Sequence, residues 1–292
     1  MSLLRSLLVH VGDDDLDEAL VRFAARLAAP HDAALHAVHA VEPVPIGAYL
    51  SPEAAMAAAE FNRQLALEIE ARARERVQRA SRSAGRAVDF AAWGGDPLQA
   101  LLTRTRTADL ALLISPGARD DDDLTPGFAS RLVMGAGCPL LFVPRAAMEQ
   151  ACGTRILVAW TDTRESARAL HDALPLLRSA AAVELLSLGP PRSHGAQGPD
   201  PLAGVAGYLA AHGVQARCTV RVLREVSFTE RMLVPSAVDA SIAELLLSHA
   251  ADMGADLIVM GGYGHARALE LVLGGVTRTM LASMTVPVLM SH

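Results

Sequence analysis

The chain has 292 residues, 51% hydrophobic and only 4% aromatic, with a formal net charge of −6. The acidic balance, without a basic tract or interleaved basic and aromatic residues, excludes a nucleic-acid footprint and an anionic membrane surface as partner. No apolar run approaches the roughly 18 residues that span a bilayer, no signal-peptide pattern opens the sequence, and Cys138, Cys152 and Cys218 are too scattered for a disulfide framework, so the expected compartment is the cytoplasm.

Short β-branched or Leu-rich runs alternate with helical patterns along the chain, the mark of βαβ units and a parallel sheet. In the first half the runs at 6–11, 34–41, 87–93, 108–114 and 139–144 read as strands, with helices at 15–28, 53–84, 97–107 and 128–136. The pattern then repeats. Strands are expected at 155–160, 182–188, 216–223, 255–261 and 286–291, with helices at 163–178, 200–212, 237–253 and 275–284. The expected fold is α/β: two tandem doubly wound five-stranded parallel-sheet domains, 1–147 and 153–292, with helices on both faces. The polar stretch 145–154 leads straight into a new strand, so the halves are expected to pack together.

Two segments break the repeat. Residues 189–201 are rich in Gly and Pro and read as a loop, whereas 224–238 are more apolar than a loop needs. The second segment is either a lid over the crevice of the second half or a packing segment between the halves.

Residues 255–277, ADLIVMGGYGHARALELVLGGVT, carry the most chemistry. An apolar strand ends in Gly261 and Gly264, and after nine residues Gly274 and Gly275 open a helix. Glycines let backbone N–H groups approach an anion, and a helix start adds unpaired N–H donors with partial positive charge. His265 and Arg267 lie in the same loop and can reach a phosphate. Residues 108–130 are an altered copy: Gly117 and Gly127 keep the interval, but Ile114 replaces Gly261, Pro116 has no N–H to offer, and Asp120 to Asp123 would repel a polyphosphate. An anion site is therefore expected in the second half alone.

These residues resemble the universal stress protein family, in a tandem form with two family domains on one chain. The family's ATP motif is Gly, two residues, Gly, nine residues, Gly, then Ser or Thr. Gly261, Gly264 and Gly274 match it, with Gly275 at the hydroxyl position and Thr277 two residues on as a substitute. The family's Asp-Gly-Ser turn after the first strand reads Thr161-Asp162-Thr163 here, so Thr161 stands where the Asp would hold the nucleotide. The resemblance implies an adenine nucleotide alpha hydrolase-like, Rossmann-like fold and a modified site for ATP with Mg2+. In that site Gly264, Gly274 and Gly275 hold phosphates, Gly261 admits the ribose, and Val158 and Thr161 meet the base. It implies a role in stress response through association, with at most slow ATP hydrolysis. It also implies pairing through the fifth strands, Leu140 to Val143 and Val286 to Met290, either within one chain or between chains as a homodimer. An ATP-independent interaction protein and a sensor of another small ligand are the competing readings.

Other candidates weigh less. His36 and His39 are separated by an odd number of strand positions and face opposite ways, so they cannot share a metal ion without a bulge. The charged latter part of helix 53–84 reads as an exposed, salt-bridged face. Trp93 and Trp160 end strands and read as core or rim residues. No GxSxG, CxxC, HExxH or Walker lysine pattern is present, so no catalytic residue is assigned.

Overall fold

The computed structural model describes residues 4–40, 51–115, 126–189, 202–222, 235–262 and 275–292. They form ten strands and eight α-helices. The first half contains β1 (Ser6–Val11), α1 (Leu16–Ala28), β2 (Ala34–His39), α2 (Pro52–Ala84), β3 (Asp89–Ala92), α3 (Pro97–Thr105), β4 (Leu110–Ile114), α4 (Pro126–Gly135) and β5 (Leu140–Val143). The second contains β6 (Arg155–Trp160), α5 (Arg164–Leu177), β7 (Ala182–Gly189), α6 (Ala203–Ala211), β8 (Ala216–Val222), α7 (Pro235–Met253), β9 (Leu257–Gly261), α8 (Gly275–Ser283) and β10 (Val288–Ser291).

All strands lie in a single sheet of order β3-β2-β1-β4-β5-β10-β9-β6-β7-β8. Every pairing is parallel except the central one, where β5 and β10 run antiparallel. The order is palindromic. Leu141 faces Leu289 at the centre, flanked reciprocally by Phe142 with Val288 and Leu140 with Met290. The fifth strands therefore join the two halves within one chain, which decides between the two pairings left open by the sequence.

The central strands are apolar along their whole length because helices cover both faces of the sheet. Alternate residues feed two cores. One holds Leu141, Val158 and Leu289 with side chains of α1, α2, α5 and α6; the other holds Phe142, Leu157 and Met290 with side chains of α3, α4, α7 and α8.

Helix starts follow local chemistry. Ser51 accepts from the Ala54 N–H ahead of α2, Asp96 from the Leu98 N–H ahead of α3, and Thr163 from the Ser166 N–H ahead of α5. Gly85 ends α2 in the left-handed conformation, φ 60°, that a side chain disfavours.

The repeated Ala-Asp-Leu of the sequence acquires a structural purpose at the amino ends of the strands. Asp256 accepts the backbone N–H groups of Gly153, Thr154 and Arg155 at 2.9–3.0 Å, which tethers β9 to the start of β6. Asp109 does the same for Arg5 and Ser6 at the start of β1.

The halves differ in their second helix. With 33 residues at about 1.5 Å each, α2 is roughly 50 Å long. Its later part packs Ala73, Val77 and Ala80 into the core, while Met56, Phe61 and Leu67 of the earlier part are exposed. Arg72 and Arg76 grip Asp13, and Arg79 grips Glu18, so the charged face of α2 is tied to α1 and its leading loop. These guanidiniums hold the Asp13 carboxyl below the usual carboxylate range, Arg72 chiefly, against the opposing effect of burial. The counterpart α6 has nine residues. The cysteines are free thiols, and burial pushes Cys138 up to about 12.

Candidate functional site

In each half the crossovers turn in opposite directions from a pair of neighbouring strands, β1 and β4 in the first and β6 and β9 in the second. At such a switch point the loops diverge and leave a crevice at the carboxyl ends, where doubly wound sheets place ligands. In the second half this end is formed by Thr161 after β6, Gly261 at the tip of β9, and the start of α5.

Gly261 is a packing glycine. A Cβ there would lie 2.6 Å from the Ser166 amide nitrogen and 2.7 Å from the Glu165 carbonyl carbon, so the first turn of α5 rests directly on the strand. The expectation for this position was approach of a ribose; the space a side chain would use is taken by helix backbone. Its φ is not positive, so the turn does not impose glycine there either. Ile114, fully buried, occupies the same place in the first half.

Thr161 sits in a hydroxyl cluster. Its Oγ1 lies 2.7 Å from Ser166 Oγ, and its N–H points to the same oxygen at 3.4 Å. A hydroxyl has one donor and two acceptor lone pairs, so the exposed Thr161 retains capacity for a further partner. In the first half a carboxylate does the work of Ser166: Asp17, fully buried, accepts the N–H groups of Gly12 and Asp14 at 3.2 and 3.0 Å.

The other expected residues are distributed as follows. Val158 is 1% exposed inside the α5/α6 core, so a base at the carboxyl end meets no side chain from it. Gly275 begins α8 and contributes a backbone N–H at the helix start. Thr277 lies on the buried face of α8 with Met280 and Leu281, turned to the core. Gly264, His265 and Gly274 lie outside the described residues, as do Gly117 and most of 224–238.

Two features were not assigned from the sequence. Buried Glu184 of β7 accepts from the Thr219 hydroxyl at 2.6 Å and lies 2.7 Å from Nε2 of buried His249 on α7. Burial raises its pKa, but the bonds to Thr219 and His249 outweigh that and hold the carboxyl below its usual range. A lone charge within AVELLSL was the available signal. The second feature is the seam between the halves, where Ser115 after β4 donates to the Leu281 carbonyl of α8 at 2.9 Å. Reciprocally, Gly262 after β9 lies so close to Val133 of α4 that a Cβ would be 2.6 Å from its Cγ1. Each contact runs from the residue after a fourth strand to the last helix of the other half.

The fold and its crevices define a tandem doubly wound α/β protein with one domain per half. The profile of the universal stress protein family matches residues 4–144 and again 154–292, and the chain belongs to that family. Among solved structures it is similar to a universal stress protein from Archaeoglobus fulgidus DSM 4304, at 13% identity over 98% of this chain and 95% of that one, with a TM-score of 0.66. It is also similar to a functionally unknown protein from Pseudomonas aeruginosa PAO1, at 18% identity over 99% and 92%, TM-score 0.56. At these identities the likeness establishes the fold. Among curated proteins none matches the chain. Among the described residues no helix is long and apolar enough to cross a membrane.

Proposed function

We propose that this protein is a stress-response regulator whose second half binds an adenine nucleotide, ATP with Mg2+, in the crevice at the carboxyl ends of β6 and β9, while the first half serves as its structural partner. The observation that supports the reading is that Thr161 and the Gly261 strand tip lie at the carboxyl ends of the paired strands β6 and β9, at the switch point of the second half. The side chains fit the nucleotide in a reduced way. Thr161 replaces a carboxylate, Gly275 has no hydroxyl, and Thr277 faces the core, so phosphate recognition falls to backbone N–H groups at the start of α8 and in the glycine loop before it. ATP bound there acts as an occupancy signal, since no general base or arginine finger is assigned.

The first half lacks the same provision. Ile114 fills the place of Gly261, and the Asp13 loop is clamped by Arg72 and Arg76. One observation favours a ligand-independent interaction protein instead: packing against α5 already accounts for glycine at position 261.

Isothermal titration of Mg-ATP into nucleotide-stripped protein separates the two. The expected result is one site per chain, lost in Gly264→Asp and retained in Gly117→Asp. Absence of binding heat, or equal losses in both variants, would refute the one-site reading.

A further inference from the structure

A concavity of about 340 Å3 opens on the outer side of the second half, between α5 and α6. It is lined by Trp160, Asp162, Leu170, His171, Val205 and Tyr208. Its origin is the asymmetry of the second helix. In the first half α2 covers α1 and ties it down with arginines, whereas among the described residues the nine-residue α6 leaves the corresponding flank of α5 open. At Gly204 and Gly207 of α6 an added Cβ would meet nothing within 4 Å.

The lining is chemically distinctive in a chain with only two Trp and three Tyr. One of each is here and half-buried, and the Tyr208 ring is flanked by two imidazoles, His171 at 4.9 Å and His212 at 4.5 Å between centroids. Buried Leu170 and Val205 supply an aliphatic floor. At the rim stands Asp162, which has no hydrogen bond or ion pair among the described residues. The arginines nearest to it in sequence are engaged elsewhere, Arg164 with Glu165 at 3.4 Å and Arg168 with Asp172 at 3.0 Å. The concavity therefore combines aromatic rings, an apolar floor and a carboxylate that, among the described residues, no cation pairs with.

We propose that this concavity binds a small organic monocation of the alkylammonium class, with its head group against the Trp160 and Tyr208 rings and Asp162 as counter-ion. Aromatic faces attract cations through the ring quadrupole, and methylated ammonium groups add apolar contact with the floor. The volume lies at the small end of the ~300–1,000 Å3 range of ligand pockets, which suits a head group rather than a nucleotide. An anion would meet Asp162, and a neutral apolar ligand would desolvate that carboxylate without a partner. The proposal does not depend on nucleotide binding in the crevice.

The test follows Trp160 fluorescence in a Trp93→Phe background of the full chain, titrated with choline and, separately, with its uncharged isostere 3,3-dimethylbutan-1-ol at constant ionic strength. Choline is expected to give a saturable change that the isostere does not. Asp162→Asn, an exposed loop change, is expected to weaken choline about tenfold, and Tyr208→Leu, which keeps apolar bulk but removes the ring, by a similar factor. No saturable response to choline, an equal response to the isostere, or unchanged affinity in Asp162→Asn would each overturn the proposal.

Discussion

Replacing Gly261 by alanine tests whether the tip of β9 and the first turn of α5 are held in direct backbone contact. The new methyl would sit 2.6 Å from Ser166 N, about 0.8 Å short of the 3.4 Å at which ordinary contact begins. Two of the three nearest obstructing atoms are main-chain atoms of Glu165 and Ser166, so no rotamer change clears the space; α5 or β9 must shift. Overpacking of this kind costs about 1–3 kcal/mol. At roughly 2–4 °C per kcal/mol for chains of comparable size, Tm should fall by about 2–12 °C. Gly207→Ala is the control of opposite sign. It adds a methyl inside α6 where nothing lies within 4 Å, and alanine there is favoured over glycine by about 1 kcal/mol. Calorimetric melting of both variants beside the unaltered protein gives the comparison. A Gly261→Ala protein that melts with the parent would refute close packing at this point. It would also return the glycine to the ligand-based explanation.

Two further outcomes follow from the polar contacts. Glu184 has a folded-state pKa below its usual 4.5, so its contribution to stability is complete above that value and is lost as pH falls through the lower, folded value. Urea unfolding of the parent and Glu184→Gln should therefore show a gap of about 1.5–3 kcal/mol at neutral pH that narrows only below about pH 4.5; a gap independent of pH would contradict the assignment. Asp256→Ala removes the acceptor of three backbone N–H groups and should cost about 1.5–3 kcal/mol, more than Asp109→Ala, which frees two at a more exposed site. Denaturant midpoints in the reverse order would show that these aspartates do not act as tethers.

Periodicity carried much of the architecture. Leu- and Val-rich runs between helical patterns placed all ten strands within a few residues, because strands buried on both faces must be apolar throughout. The repeat of 108–130 in 255–277 marks two halves of common design in the sequence itself, and the profile match over both halves bears out the family. The glycine spacing, however, could not reveal what occupied the space it left. At Gly261 that space belongs to α5, a helix nearly a hundred residues away in sequence, and only the packed structure brings the two together.

Local composition and spacing carry the sheet-and-helix alternation, the duplication and the family. Tertiary structure decided that the fifth strands close on each other within one chain, that Thr277 turns inward, and that Glu184 is matched by Thr219 and His249. It also decided that an aromatic concavity opens between α5 and the short α6. Each of these depends on which surfaces meet across distant stretches of chain, and pairing of that kind is fixed by packing and by the need to satisfy buried polar groups.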